Sequence, residues 1–143
     1  MKVFLSRFLP LLLSMALIFG MSMSHNPYRG LPDGWRGPVQ VGTTTVGEVE
    51  LFGMPGHVIE FMLLGITAGG AVMWKRRSTL WGMMVSFAGC GLYALSDEVH
   101  QIFVPGRAFE VGDLLLDGAG IACGLAIVWL VRRRLEARSQ RLG

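Results

Sequence analysis

The residues able to do chemistry fall into three groups from residue 57 onward. His57 and Glu60 are three residues apart and share a face if the segment is helical. Asp97, Glu98, His100 and Gln101 crowd together further on, with Asp97 and His100 again at a spacing of three. Asp113 and Asp117 stand four apart, and Arg107 lies between the second and third groups. An imidazole among carboxylates suits proton transfer: His100 would be the general acid or base, Asp97 or Glu98 would orient it, and Asp113 and Asp117 would serve as a second acid or as metal ligands. Gln101, His57 and Glu60 would bind, and Arg107 could grip a phosphate or carboxylate through two parallel hydrogen bonds. Two histidines among carboxylates also form a donor set for a divalent metal. No nucleophilic Ser or Cys motif accompanies them.

Each group also has a structural reading. His57 and Glu60 would make an interfacial hydrogen-bonded pair that fastens a helix end. Asp97, Glu98 and His100 would be a solvated helix end. Asp117 is harder to place this way, because it falls about a turn inside an apolar segment and would need a partner such as Arg107 or His100.

The elements that position these groups are apolar. The chain has 143 residues, enough for one domain; 52% are hydrophobic, 16% are charged, and the mean hydropathy is +0.49. That balance points to a lipid-solvated chain rather than a soluble enzyme. Four windows approach the roughly 17 to 25 helical residues needed to cross hydrocarbon: Phe8 to Met23, Val58 to Trp74, Leu80 to Ser96, and Leu114 to Val131. The expected fold is an all-α integral membrane protein, a compact bundle of four transmembrane helices. Cys90 and Cys123 fall inside apolar runs and read as small buried side chains.

Lys and Arg set the expected orientation. Lys2 and Arg7 precede the first window, Lys75, Arg76 and Arg77 follow the second, and Arg132, Arg133, Arg134, Arg138 and Arg141 follow the fourth. The positive-inside rule puts these in the cytoplasm and leaves Arg29, Arg36 and Arg107 outside, so both termini are expected inside. The basic charge therefore belongs to membrane loops, and nucleic acid is not an expected partner. Residues 1–24 form the first transmembrane helix, or a signal anchor, since a charged start, an apolar run and small residues at Ser22 and Ser24 also resemble a secretory signal. Residues 25–56 form an extracytoplasmic loop segment, 57–131 the remaining three-helix transmembrane domain, and 132–143 a basic cytoplasmic tail. Within the outer segment, Val39 to Leu51 alternates in places and suits a short β-hairpin or an extended lid.

Small residues predict how the helices pack. Gly82, Ser86, Cys90 and Ala94 recur every four residues, as do Gly120 and Gly124, and such stripes let backbones approach in lipid. Asp113 and Asp117 lie on the stripe that runs on through Gly120 and Gly124. With alternating helix directions, the polar ends of the second, third and fourth helices meet at one membrane surface. Pro105 and Gly106 predict a tight turn there, aiming Arg107 back over the helix ends.

The stretch DEVHQIFVPGR, residues 97 to 107, followed by Asp113, Asp117, Gly120 and Gly124, resembles the signature of the VanZ-like family of bacterial membrane proteins. Asp97, Glu98, His100, Gln101, Phe103, Pro105, Gly106 and Arg107 each fall on a DE-x-HQ-x-F-x-PGR pattern, and His57, Glu60, Phe61, Leu64 and Gly65 on an H-x-x-E-[YF]-x-x-LG element. The resemblance covers roughly residues 55 to 131. Where members often carry Asp-Lys ahead of the His, this chain has Met54, Pro55 and Gly56. The family takes its name from a protein associated with glycopeptide (teicoplanin) resistance, so the resemblance implies a multi-pass protein of the bacterial plasma membrane linked to the cell envelope.

The expected function is that the extracytoplasmic cluster binds or modifies an anionic envelope component, such as a lipid-linked wall precursor or a phospholipid head group. The alternative is a non-catalytic binding or shielding protein whose polar cluster is structural. Proton-coupled transport is a third reading, disfavoured by four short helices without an inverted repeat unless the chain forms an oligomer.

Overall fold

In hydrocarbon every backbone N–H and C=O must find its partner within the protein, and an apolar run does this by becoming a helix. A computed structural model describes residues 2–23, 36–41, 44–50, 53–73, 79–105 and 109–142. Its four helices are α1 (Lys2–Ser22), α2 (Gly53–Met73), α3 (Thr79–Gln101) and α4 (Val111–Leu142). All four are long and apolar enough to cross a membrane. Large apolar side chains such as Leu13, Leu63, Leu92 and Leu130 point outward around the girth, as lipid-facing surface must. The chain is a multi-pass membrane protein whose membrane part is all-helical.

Each helix outruns its apolar window. α2 starts at Gly53, four residues ahead of His57, with Pro55 in the first turn where a missing N–H costs nothing. α3 runs past Ser96 through Asp97, Glu98 and Gln101, because these polar residues face inward and are buried. α4, at 32 residues, is about 48 Å long and carries the Arg132–Arg141 stretch beyond the length hydrocarbon requires. Between α1 and α2, strands β1 (Arg36–Val41) and β2 (Thr44–Glu50) pair antiparallel, with a register irregularity at Val39/Gln40. Hairpin geometry thus holds in the segment where alternation suggested it.

Both small-residue stripes lie in interfaces. Gly82, Ser86, Cys90 and Ala94 are buried along one side of α3, in line with Asp97, Glu98 and Gln101 below them on the same helix. On α4, Gly120 and Gly124 press on α2, the neighbour with which α4 shares the largest interface. A Cβ on Gly120 would lie 2.5 Å from the Val58 carbonyl oxygen, one on Gly65 would lie 2.6 Å from that of Ile121, and one on Gly124 would collide with the Met62 carbonyl. Phe61, Leu64, Ile121 and Leu125 fill the core around these contacts. α1 is joined to the rest by polar links as well: Ser14 Oγ lies 3.0 Å from Thr67 Oγ1 on α2, and the Tyr93 hydroxyl of α3 donates to the Met15 carbonyl at 2.6 Å.

The bundle has a basic end and an acidic end. At the basic end the last carbonyls of α2 would be left without partners, and two arginines from other helices supply them. Arg7 of α1 donates to the carbonyls of Ala71 and Val72, and Arg132 of α4 donates to that of Met73. Cations at a helix C-terminus also oppose its dipole favourably. The start of α2, the end of α3 and the start of α4 meet at the other end.

Candidate functional site

Three helix tips build the acidic end. His57 projects from the second turn of α2, Asp97, Glu98 and Gln101 from the last turns of α3, and Asp113 and Asp117 from the first turns of α4. Because Val58 abuts Gly120, the imidazole beside Val58 and the carboxylate three residues before Gly120 are forced together. His57 Nδ1 lies 2.9 Å from Asp117 Oδ1, and its Nε2 lies 3.6 Å from Asp113 Oδ2. The ring is thus held between two carboxylates of one helix. At 2.9 Å a proton must sit between Nδ1 and Oδ1, since two bare acceptors would repel.

α3 closes the other side. The Gln101 side-chain amide donates to Glu98 Oε1 at 2.9 Å and to Asp97 Oδ2 at 3.2 Å, so one NH2 group serves two carboxylates. Glu98 Oε2 accepts the backbone N–H of Glu110 at 2.9 Å. Glu110 is the residue whose carbonyl receives the first α4 bonds, from Asp113 and Leu114. Glu98 therefore ties the end of α3 to the start of α4. Asp113, in the first turn of α4, stands well against the helix dipole.

Burial in this cluster is deep. Glu98 and Asp117 are 0% exposed, and Asp97 and Gln101 are nearly as enclosed. Asp117 Oδ2 and Asp97 Oδ1 are buried without a hydrogen-bond partner. Among the described residues, no Lys or Arg forms an ion pair with these carboxylates. One oxygen or nitrogen from each of His57, Glu98 and Asp117 lies within 4.8 Å of the others, close enough to share a metal ion.

The sequence-derived candidates separate in space. His57, Glu98, Asp113 and Asp117 meet directly, with Asp97 and Gln101 adjoining. His100 does not join them: its ring packs against Phe19 of α1 at a centroid distance of 4.9 Å, and its buried Nδ1 has no hydrogen-bond partner. Glu60 is near enough to act electrostatically on His57, but the hydrogen bond of His57 goes to Asp117. Arg107 lies outside the described residues. Spacing did not reveal Glu110, whose part is played by its backbone N–H; its one sequence signal is its place just ahead of the apolar run that starts α4.

Neither the curated proteins nor the solved structures contain a match to this chain. A family model does match, described as VanZ/LLP1 and aligned to residues 8–132, and that span takes in most of α1, the hairpin and every helix tip of the cluster. By that match over most of its length, the chain belongs to the VanZ/LLP1 family of proteins.

Proposed function

We propose that the acidic end faces the extracytoplasmic side of the plasma membrane and binds or modifies an anionic envelope component there, a lipid-linked wall precursor or a phospholipid head group, with a consequence for glycopeptide resistance. The observation that carries this reading is the meeting of three helix tips around His57. The groups come from distant parts of the chain, lie at the tips of helices long enough to span a membrane, and include a proton held between an imidazole and a carboxylate. Orientation follows from the ten Lys and Arg residues at the start of α1, between α2 and α3, and along the last turns of α4.

In this reading the His57–Asp117 pair is the acid/base element and Asp113 steadies the second ring nitrogen. Arg107, two residues beyond Pro105 in the chain, is the residue assigned to grip a phosphate or carboxylate. A non-catalytic binding or shielding role is the second reading. It is favoured by one observation: both Glu98 oxygens are already engaged, Oε1 by Gln101 of the same helix and Oε2 by the Glu110 N–H at the start of α4.

The test uses the full chain in nanodiscs and in cells. Purified protein should retain anionic lipid over phosphatidylcholine by native mass spectrometry, and His57→Gln and Asp117→Asn should abolish that preference. Cells expressing the same variants at wild-type level should lose any change in glycopeptide susceptibility that the parent confers. Equal retention of both lipids by the parent protein would refute binding of an anionic lipid. Turnover of an added lipid or wall precursor by purified protein would exclude the non-catalytic reading.

A further inference from the structure

The cluster poses an electrostatic problem. Among the described residues, Asp97, Glu98, Asp113 and Asp117 converge around a single imidazole, so these groups by themselves would repel an anion. Within it Asp117 Oδ2, part of a carboxylate with no exposure, lacks a partner, and such a group is costly to bury. Both difficulties disappear if a cation is the missing partner.

We propose that His57, Glu98 and Asp117 form a binding site for a divalent transition-metal ion of the zinc class. The geometry suits one ion. The three donor atoms lie within 4.8 Å of one another, and donors on opposite sides of an ion at about 2.1 to 2.4 Å are separated by about 4.2 to 4.8 Å. A tetrahedral shell spaces its donors about 3.4 Å apart, so His57 Nδ1 and Asp117 Oδ1, now 2.9 Å apart, open slightly as the ion enters. The ion takes the place of the proton between His57 Nδ1 and Asp117 Oδ1, and that proton leaves to solvent.

The groups behind the ligands are also suitable. Asp113 stands 3.6 Å from His57 Nε2, close enough for its charge to favour a proton on that nitrogen and so leave Nδ1 to the metal. Gln101 and the Glu110 N–H each occupy one lone pair of a Glu98 oxygen and leave another free on each. An imidazole nitrogen with two carboxylates and no thiolate favours zinc or manganese over copper(I), and the imidazole disfavours calcium and magnesium. This deepens the proposed function and rests on it in one respect: the metal would convert an acidic pocket into a receptor for a phosphate or carboxylate.

The experiment titrates metal alone. Full-length protein carrying a tag without histidines is purified in detergent, stripped with a chelator, and titrated with Zn2+ by calorimetry and with Co2+ by absorbance. One equivalent should bind, and an excess of Mg2+ or Ca2+ should not displace it. Glu98→Gln and Asp117→Asn should remove the site, and Asp113→Asn should weaken it about 10- to 100-fold and shift the Co2+ bands. Elution volume and helical content identify any variant that fails to fold; the Asp113→Asn affinity and Co2+ bands then carry the test. Absence of saturable binding to the parent, unchanged binding in the folded variants, or displacement by Mg2+ would overturn the proposal. A final arm adds nanodiscs containing phosphatidylglycerol, with and without Zn2+. Metal binding without lipid preference sustains the site and defeats the proposed function, whereas lipid preference in stripped protein that binds no metal does the reverse.

Discussion

The α-carbon of Gly120 comes so close to the Val58 carbonyl that a methyl group there would stand 2.5 Å from the oxygen. α2 and α4 touch backbone to backbone at this point, one residue from His57 and three from Asp117. Packing and chemistry therefore depend on the same contact. Gly120→Ala and Gly124→Ala should each cost about 1 to 3 kcal/mol through overpacking, read as a lower melting temperature in detergent. Gly118→Ala, where an added Cβ meets nothing within 4 Å, should be neutral or slightly stabilising through helix propensity. Equal effects at Gly118 and Gly120 would contradict the close approach.

The His57–Asp117 pair should show strong energetic coupling. A cycle of His57→Ala, Asp117→Ala and the double variant should give an interaction of about 1 to 3 kcal/mol, with His57→Ala the more damaging single change because it strands the fully buried Asp117 carboxylate. Chemical denaturation of the four proteins in mixed micelles measures it, and additive losses would show that the two side chains act independently.

Gln101 should tolerate no apolar replacement. Gln101→Leu removes the amide that serves Asp97 and Glu98 and leaves two buried carboxylate oxygens without their donor, at about 1 to 3 kcal/mol each. His100→Phe offers the contrast, because the ring contact with Phe19 survives and no hydrogen bond from Nδ1 is lost. Thermal midpoints of the two variants side by side give the comparison: a marked fall for the first and little change for the second.

Orientation can be read by labelling. In a Cys90→Ala, Cys123→Ala background, Phe103→Cys, at a position 78% exposed beside the acidic end, should react with an impermeant maleimide added to intact cells. Arg138→Cys should react only after permeabilisation. The opposite pattern would reverse the topology and place the acidic cluster in the cytoplasm.

Much of this architecture is legible in one dimension because lipid imposes simple rules. Apolar windows located α1 to α4, and four-residue spacing of small side chains located the faces of α3 and α4 that pack. Hydropathy misled at Ser96, where the composition turns polar while the helix continues, since Asp97, Glu98 and Gln101 turn inward rather than to water. Spacing relates a residue only to its own helix. It paired His57 with Glu60 on α2, whereas the hydrogen-bond partner lies sixty positions away on α4. It also grouped His100 with Asp97, although His100 sits against α1. Cross-helix neighbours are set by which stripes interlock, and a periodic pattern does not contain that information.

The uninterrupted length of α4 makes it a gauge of the bilayer. From Asp113 to Arg132 the helix advances about 28 Å, close to the thickness of a typical hydrocarbon layer of about 30 Å, so an upright α4 would set each residue near one of its boundaries. Asp117 then lies about 6 Å beneath one surface. A thicker membrane would draw the carboxylates toward oil and a thinner one would leave them wetter, which ties the hydration of the helix tips to the lipid composition around them.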